Sequence, residues 1–537
     1  MAAAQVDAFK SQMTEQSSLE KIATDAIKKV DSNFSLKRKQ MDCIENVVAG
    51  KDTLAILPTA YGKSMIYQLL PSIFRALPNS SKHPIVLVVS PLQNLIRNQI
   101  AEAEELGSYL NIKACSLDKC SDVETLKMNG YNILFGIPEK WLLSSVKDFL
   151  TTSFLRKNVV CVVVDEAHKI SWGVPASSST ESVFREAFSR IGEIRSFCSE
   201  KVPVLALSAT IEMDFTEILR GACSLSKYVR YIHSSPDRKN IRLSIVDAGS
   251  KSISCFNWLL NIISQNSEST PKVLIYCRSQ KLVSWLFGQF LSKLGLGIYK
   301  NREKHYDNFL VGMFHADTSP HNKEKYLASL TSVDDTLPRV IIATSTIGCG
   351  INAKRLKYVC HFGPAFSLVD YCQQIGRAGR NDESDCHAIL YTYKGCDKDI
   401  NPKMKNYTKL TTCLRTALFS PFNENSSPIV SLAPAYSCCS VCHQSSDHPN
   451  NHDFEKECVF GTAHVIEPVR NATLEDKSAI EALLLEYHHN YFQSDPHINL
   501  PSSSITGLTR PVITDILENI NYVRNITRLL DGSHDYS

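Results

Sequence analysis

Short, nearly continuous apolar runs recur along the first part of the chain, separated by stretches with helical periodicity. Strands buried on both faces of a parallel sheet lose the alternation of apolar and polar residues, so such runs indicate parallel strands. Five runs follow this pattern, at residues 53–57, 85–90, 133–136, 159–165 and 204–208. Because helical stretches separate them, they predict a doubly wound α/β domain over residues 21–223, after an N-terminal tail at 1–20.

A second series of apolar runs begins after a polar connection at residues 224–241. Its members lie at 272–277, 312–315, 340–344, 358–362 and 387–392. They predict a second α/β domain of similar size, over residues 224–400. The repeat is one of architecture only, because no residue-level repetition relates the two halves.

The alternation of strands and helices ends near residue 400. Ser, Pro, Cys and His dominate from there until apolar helical patterns return near 479–491 and 511–530. We therefore expect a Cys-containing region at 401–460 and a helical region of unknown role at 461–537. The predicted fold class is α/β, with two tandem doubly wound parallel-sheet domains and a small, mostly helical C-terminal appendage.

Composition limits the classes of protein that fit this pattern. A chain of 537 residues exceeds the size of one hydrophobic core, which predicts two to four domains. The net charge of +3 is small, so nucleic-acid binding would need a local basic groove. No apolar run approaches the ~18 residues of a membrane helix and no targeting signal is recognisable, so we expect a soluble protein without a membrane partner. Its 18 cysteines then indicate thiols, or a metal site, in a reducing compartment.

The first candidate for chemistry follows the first apolar run, where Gly62, Lys63 and Ser64 close a turn before a helical stretch. Such a turn directs backbone N–H groups and the positive end of a helix at a phosphate. Lys63 would reach the β- and γ-phosphates of a nucleotide, and Ser64 would bind Mg²⁺. Leu57 occupies the place of the first Gly in the usual pattern, so an ordinary surface turn is the alternative.

Two carboxylates follow the fourth run, in the string Asp165-Glu166-Ala167-His168. They lie at the carboxyl end of a predicted strand, which is the ligand-binding edge of such sheets. Asp165 is suited to holding Mg²⁺, and Glu166 to orienting and deprotonating an attacking water. A solvated acidic strand end is the alternative.

A third string, at residues 373–380, supplies cations for the same chemistry. Arg377 and Arg380 are three residues apart and share a face if they lie on one helical turn. They are candidates to approach the γ-phosphate from the second domain as arginine fingers, and Gln373 precedes them. A solvated or salt-bridged pair is the alternative.

In this order the three strings resemble the RecQ family of ATP-dependent DNA helicases, within helicase superfamily two. The resemblance runs from about Phe34 to Cys442. Further segments that carry it are 34–40, 58–68, 89–92 with Gln99, 170–173, 184–185, 237–241 and 343–351.

The resemblance implies two RecA-like domains that bind ATP and Mg²⁺ between them. The implied catalytic residues are Lys63, Asp165, Glu166, Gln373, Arg377 and Arg380. The implied nucleotide-binding residues are Lys37, Gln40, Thr59, Ala60, Tyr61, Gly62, Lys63, Ser64 and Asp165. The family's partners are single-stranded and tailed duplex DNA, its polarity is 3′ to 5′, and its members imply nuclear rather than cytoplasmic residence.

The resemblance also implies residues that link DNA contact to ATP hydrolysis. These candidates are His168, Trp172, Phe184, Phe188 and Thr344. The aromatic members belong to a segment similar to the aromatic-rich loop of RecQ enzymes, although here the loop is one residue short before Trp172 and carries an extra polar stretch at 174–180. Ordinary core or surface aromatics are the alternative.

Ala60 stands where the family's phosphate loop usually has Gly. We therefore predict a backbone angle at residue 60 that favours Gly, with local strain and reduced activity. This departure and the altered aromatic loop motivate a competing hypothesis, a weakened helicase relative that binds nucleic acid or scaffolds partners. An RNA helicase is a further hypothesis, against which the aromatic loop and the cysteines argue.

The cysteines past residue 400 resemble the four-thiolate zinc platform of RecQ enzymes. Cys413 is followed by Cys439 and Cys442, which form a C-x-x-C pair of the kind that binds Zn²⁺. Candidates for the fourth ligand are Cys438, His443 and Cys458. Free thiols are the alternative. The winged-helix domain that comes next in the family is not recognisable after Cys442. The resemblance therefore supports translocation on DNA more strongly than the unwinding of a duplex.

Overall fold

We describe a computed structural model of the chain. It describes residues 19–493 except 32–34, 79, 121, 174–184, 200, 335, 349–352, 381–385, 424–428 and 446–472, and also residues 513 and 517. The predictions for Phe184 and Cys458, and most of those for 461–537, lie outside the described residues. Among the helices that are described, none is long and apolar enough to cross a membrane.

A seven-stranded parallel sheet forms the centre of the first domain. Its strands are β1 (Thr53–Ile56), β2 (Ile85–Val89), β3 (Ala114–Ser116), β4 (Ile133–Gly136), β5 (Val159–Val164), β6 (Val204–Ser208) and β7 (Arg230–His233). They are ordered β3-β4-β2-β5-β6-β1-β7. The main described helices are Arg38–Val48, Lys63–Ala76, Gln93–Leu110, Val123–Asn129, Pro138–Trp141, Ser144–Leu150, Ser153–Asn158, Glu193–Phe197 and Thr216–Ala222.

The central strands of this sheet are largely apolar because each of them contributes side chains to two cores. Successive side chains of a strand point to opposite faces of the sheet. On β1, Leu54 and Ile56 pack in one core, while Ala55 packs in the other. The carboxyl ends of β1, β5 and β6 therefore lie side by side at one edge, which is where the predicted phosphate loop (residues 57–64) and the two predicted carboxylates begin.

A six-stranded parallel sheet forms the centre of the second domain. Its strands are β8 (Ile241–Asp247), β9 (Lys272–Cys277), β10 (Val311–Phe314), β11 (Val340–Ala343), β12 (Leu356–Phe362) and β13 (Cys386–Thr392), ordered β10-β11-β9-β12-β13-β8. Its main described helices are Asn257–Asn266, Gln280–Leu294, Pro320–Thr331 and Leu368–Ile375. The prediction of two parallel-sheet α/β domains is confirmed.

Three strands were missed by the sequence pattern, and all three lie at sheet edges. An edge strand is covered on fewer sides, so it tolerates polar residues that obscure the apolar run. β7 shows this effect, because Arg230 and Tyr231 are exposed. The predicted polar connection at 224–241 thus contains β7 and leads into β8. The first sheet extends to His233, past the predicted boundary at residue 223.

The Cys-containing region packs on the second sheet instead of forming a separate core. Its helices are Pro402–Tyr407, Leu414–Phe419, Ala435–Cys438 and Ser440–Gln444, and a further helix, Leu474–Gln493, comes after them. Leu414, Leu418 and Cys438 share a core with Ile241 and Leu243 of β8. The predicted appendage therefore supports the strand that comes directly after the interdomain segment.

Candidate active site

The predicted phosphate loop connects β1 to the helix Lys63–Ala76. Gly62 caps this helix with φ +85°, and Ala60 has φ +62°. Both angles lie in the left-handed region, which Gly adopts freely and Ala does not. The prediction of a Gly-favouring angle at residue 60 is confirmed. Lys63 and Ser64 occupy the first turn of the helix, where unpaired N–H groups and the helix dipole favour an anion.

Charged groups of both domains influence the pKa of the Lys63 ammonium. Its ammonium donates to the carbonyls of Leu57 (3.2 Å) and Pro58 (3.3 Å). Burial lowers the pKa of Lys63, the carboxylates of the Asp165 string raise it, and the cation of Arg380 lowers it further. Residues from the three predicted strings are therefore close enough to influence one another electrostatically.

Gln40 and Lys37 brace the phosphate loop from the first helix. Gln40 is 1% exposed, and its amide donates to the carbonyls of Tyr61 (3.1 Å) and Gly62 (2.9 Å) while accepting from the Lys37 backbone (2.8 Å). A Cβ at residue 62 would lie 2.6 Å from the Gln40 amide nitrogen, so a side chain there would displace the Gln40 amide from its hydrogen bonds. The Lys37 ammonium lies 4.5 Å from the centre of the Tyr61 ring.

The two carboxylates stand at the end of β5 as predicted. Asp165 accepts hydrogen bonds from the Gln99 amide and from the Glu166 backbone (2.9 Å). Burial and the charge of Glu166 raise the pKa of Asp165 to about 7, against the opposing effects of Lys63 and these hydrogen bonds. A divalent cation would relieve this electrostatic penalty, so Asp165 with the Ser64 hydroxyl is a donor set that fits Mg²⁺. Sequence reasoning missed the contact of Gln99 with Asp165.

Gln373 reaches across the domain interface to the Asp165 string. Its amide donates to His168 Nε2 (2.9 Å) and to the hydroxyl of Thr210 (3.1 Å). His168 Nδ1 lies 3.0 Å from the Ser208 hydroxyl and 3.4 Å from a carboxylate oxygen of Glu166. Burial, with the nearby lysines, lowers the pKa of His168 well below 6.5, so the ring is neutral. The network connects the second domain to Glu166 through one uncharged side chain.

A second contact holds the same interface closed at the phosphate loop. The Thr59 hydroxyl donates to the Gly376 carbonyl at 2.9 Å. A Cβ at residue 376 would lie 2.9 Å from that hydroxyl and 3.0 Å from the Cys372 carbonyl. A side chain at residue 376 would therefore crowd this contact between the two domains.

Both predicted arginines are buried at this interface. Arg377 is 6% exposed and Arg380 is 7% exposed. Burial, followed by the charges of Arg377 and Arg238, lowers the pKa of Arg380 to about 10. Arg380 in turn lowers the pKa of Lys63, so its charge acts on the ammonium of that residue. The arrangement concentrates positive charge where a triphosphate would lie.

A cavity of about 960 Å³ lies beside this site and is lined by both domains. Lys169 and Trp172 line it from the first domain, and Lys251, Arg278 and Phe366 from the second. Phe366 is 61% exposed and was not predicted as a site residue, because nothing in its sequence context separates it from a packing residue. Cations and an exposed aromatic ring are the groups that bind phosphates and stack on bases.

The predicted DNA-coupling residues occupy different environments. Trp172 lines the cavity, whereas Phe188 is 3% exposed and packs edge-on against Trp172 at 5.5 Å between ring centres. This burial favours the packing alternative for Phe188. Thr344 is also buried, and its hydroxyl lies 2.7 Å from that of Thr346, which lines the cavity.

Four cysteines converge beside β8. The sulfur atoms of Cys413, Cys438, Cys439 and Cys442 all lie within 4.8 Å of one another, and those of Cys413 and Cys438 are 3.7 Å apart. Sulfurs bound tetrahedrally at ~2.3 Å from Zn²⁺ are about 3.8 Å apart, so the donor set fits this ion. A hydrogen bond from Cys438 lowers the pKa of Cys439 to about 4. His443 Nδ1 instead lies 3.1 Å from the Arg242 guanidinium.

Two family models match the chain, one in each domain. The model described as DEAD/DEAH box helicase matches residues 37–218, and that described as Helicase conserved C-terminal domain matches residues 254–382. The chain is 28% identical over 365 residues to the "Probable ATP-dependent DNA helicase RecS" of Bacillus subtilis, covering 66% of this chain and 64% of RecS. It is also 28% identical over 382 residues to the ATP-dependent DNA helicase RecQ of Pasteurella multocida, covering 70% of this chain and 52% of RecQ. The chain is a RecQ-like member of helicase superfamily two.

Among solved structures, the RecQ-like chain resembles the helicase Lhr of Mycobacterium smegmatis bound to single-stranded DNA and AMP-PNP. The TM-score is 0.53 at 18% identity, over 78% of this chain and 52% of Lhr, which shows a shared fold. The chain spans less than two thirds of the length of RecS and RecQ.

Ala60→Gly is expected to raise the free energy of unfolding by about 1 kcal/mol, because Ala is strained at φ +62° and Gly is not. Denaturant unfolding of the two proteins measures this difference. Ala101→Gly serves as the matched control, since Ala101 lies exposed inside the helix Gln93–Leu110 and its replacement should destabilise by about 1 kcal/mol. Destabilisation by both substitutions would contradict the account of strain at Ala60.

Proposed function

We propose that the chain is an ATP-dependent DNA helicase that hydrolyses ATP between its two α/β domains and moves 3′ to 5′ on single-stranded DNA. The observation that carries the proposal is the direct contact of the string 373–380, from the second domain, with both strings of the first, through the Thr59–Gly376 hydrogen bond (2.9 Å) and the Gln373–His168 hydrogen bond (2.9 Å). A site assembled from two domains is complete only when the cleft closes. ATP binding and hydrolysis can therefore drive closure and opening.

The chain's own groups divide the chemistry between the domains. The phosphate loop and Lys63 bind the β- and γ-phosphates, and Ser64 and Asp165 would hold Mg²⁺, which neutralises phosphate charge when bound. Glu166 orients the attacking water and accepts its proton. Arg380 and Arg377 stabilise the charge that develops on the γ-phosphate.

An ATPase and strand-displacement assay tests this proposal. We expect hydrolysis to rise when single-stranded DNA is added, and duplex DNA with a 3′ tail to be separated while a 5′-tailed duplex is not. Absence of turnover with single-stranded DNA would reject the enzyme. Separation of only the 5′-tailed duplex would reject the polarity, and preference for RNA duplexes would favour an RNA helicase.

The strain at Ala60 supports a second candidate, a catalytically weakened relative that clamps nucleic acid. A strained phosphate loop binds nucleotide less well, because part of the binding free energy must hold the loop in shape. The same assay separates the two candidates. Tight DNA binding without stimulated hydrolysis in wild type, with hydrolysis restored in Ala60→Gly, is the outcome that this candidate requires.

Single-stranded DNA is proposed to occupy the cavity between the domains, with a base stacked on Phe366. The cavity has cations from both domains, and the Phe366 backbone is held by a hydrogen bond from Asn401 N (2.9 Å). Opening and closing of the cleft would then move the DNA contacts of one domain relative to those of the other.

Phe366→Ala should weaken the binding of a single-stranded oligonucleotide roughly tenfold, since base stacking contributes about 1–3 kcal/mol. Fluorescence anisotropy measures the Kd. Tyr228→Ala is the matched control, because Tyr228 is 75% exposed but does not line the cavity. Equal affinities for Phe366→Ala and wild type would exclude the stacking contact.

Zn²⁺ is proposed to bind the four cysteines. We expect one Zn²⁺ per purified chain by atomic spectroscopy, and its loss in Cys442→Ser together with a lower thermal unfolding midpoint, because the cysteine cluster packs on β8. Cys198→Ala, at a buried cysteine outside the cluster, should keep the metal. Full metal content in Cys442→Ser would remove Cys442 from the ligand set.

A further inference from the structure

Arg415 is completely buried, two residues after the first cysteine of the cluster. A guanidinium is tolerated inside a protein only when its N–H groups find acceptors. Arg415 pairs with the carboxylate of Asp237 and donates to the carbonyls of Arg238 (3.2 Å), Ile241 and Cys438 (3.4 Å). One side chain therefore joins the interdomain segment 237–241 to the cysteine cluster.

The same interdomain segment continues to the peptide that precedes Arg380. The Asn240 amide donates to the Gly379 carbonyl at 2.7 Å, and the Arg238 guanidinium donates to the same oxygen. Gly379 has φ +60°, and a Cβ there would lie 2.5 Å from the Asn240 amide nitrogen. The segment 237–241 therefore packs closely against the backbone at Gly379.

That carbonyl belongs to the planar peptide unit that also contains the nitrogen of Arg380. Fixing the direction of the Gly379 carbonyl therefore also fixes the orientation of the backbone nitrogen of Arg380. Arg380 needs such restraint, because burial and the charges of Arg377 and Arg238 disfavour a cation at this place. Without support from its backbone, we expect the guanidinium to move away from Lys63.

We propose that Arg415 is a positioning residue for ATP hydrolysis: it holds the segment 237–241, which sets the direction of Arg380 through the Gly379 carbonyl. The proposal rests on the proposed ATPase function. It assigns the cysteine cluster a part in supporting the nucleotide site, because the cluster holds the helix that carries Arg415. The alternative is that Arg415 contributes only to folding.

Arg415→Lys in the full chain tests the proposal under saturating single-stranded DNA. Lysine can pair with Asp237, but it cannot reach the carbonyls of Arg238, Ile241 and Cys438 together. We expect kcat to fall on the order of 10- to 100-fold, as for small misplacements of a catalytic group, while KM for ATP stays within about twofold. Arg156→Lys, at an exposed arginine of the first domain, should match wild type.

Asn240→Ala removes one of the two hydrogen bonds from the segment 237–241 to the Gly379 carbonyl, without touching Arg415 or the cysteines. We expect it to lower kcat by a similar factor. The double variant with Arg415→Lys should be little worse than the more affected single variant, because both substitutions act on the same carbonyl. If the loss of kcat in the double variant equals the product of the two single losses, Arg415 and Asn240 act independently, and the proposed action through one carbonyl is wrong.

Hydrogen exchange of the peptide 376–380 tests positioning independently of turnover. Both variants should exchange faster there than wild type, with Zn²⁺ content unchanged, and Arg156→Lys should not. Unchanged exchange and unchanged kcat in folded Arg415→Lys would overturn the proposal. The wild-type chain could also show no ATPase activity while both variants exchange faster than wild type at 376–380. That result would support the positioning of residue 380 by Arg415 and reject only the proposed function.

Discussion

Replacing Arg380 with alanine is expected to lower kcat for ATP hydrolysis by about a thousandfold, which is the usual effect of removing an arginine finger. KM for ATP should change much less, because the phosphate loop and Lys63 supply most of the ground-state binding. The physical reason lies in the charges at the domain interface. Burial and neighbouring cations lower the pKa of Arg380 to about 10, so the site disfavours its charge until phosphate charge is present to balance it.

Steady-state ATPase kinetics with saturating single-stranded DNA measure this effect. Arg380→Lys keeps the charge and loses the planar fork, so its kcat should fall between those of wild type and Arg380→Ala. DNA affinity in the absence of nucleotide serves as the folding control and should remain unchanged. A kcat of Arg380→Ala within tenfold of wild type would show that this guanidinium does not reach the γ-phosphate.

Replacing Lys63 with alanine should abolish measurable hydrolysis, with a loss in kcat/KM of at least about a hundredfold. Lys63 begins the helix of the phosphate loop, and its ammonium is held in place by the carbonyls of Leu57 and Pro58. It also lowers the pKa of Asp165, so its removal takes away a positive charge that favours the ionised form of this carboxyl group. Both nucleotide binding and the ionisation of the proposed Mg²⁺ ligand are expected to suffer.

Nucleotide binding measured by calorimetry, together with ATPase rates, checks the result for Lys63. Lys113→Ala is the matched control, because Lys113 precedes the edge strand β3 and lies outside the interdomain site. It should leave hydrolysis unchanged. DNA binding should persist in Lys63→Ala, since the cavity that carries Trp172 and Phe366 does not include Lys63. Normal turnover in Lys63→Ala would mean that hydrolysis happens elsewhere or comes from a contaminant.

The chemical strings were predictable because each is short and local. A Gly-Lys-Ser turn after an apolar strand dictates where a helix begins, and the end of β5 dictates where Asp165 and Glu166 stand. The angle at Ala60 followed from the same local reasoning. Such features depend on neighbours within a few residues, so one sequence suffices to place them.

Contacts between distant residues were not predictable in the same way. Trp172 and Phe188 are both aromatic and close in sequence, yet one lines the cavity and the other packs in the core. Phe366 and Arg415 carried no motif that marked them as exposed or buried. Their environments depend on how one domain docks on another. The periodicity of hydrophobic residues along the sequence does not predict that docking.

The sequence by itself determined two parallel-sheet domains and the places of the strings 62–64 and 165–168 at the ends of strands, because buried strands require continuous apolar runs and the residues after a strand emerge at the edge of its sheet. Only the tertiary structure decided that β7 and β8 extend the sheets as edge strands, and that four cysteines meet beside β8. It alone brought Gly376 against Thr59 and joined Arg415 to the segment 237–241. These contacts span long separations along the chain, so they exist only after the domains have packed together.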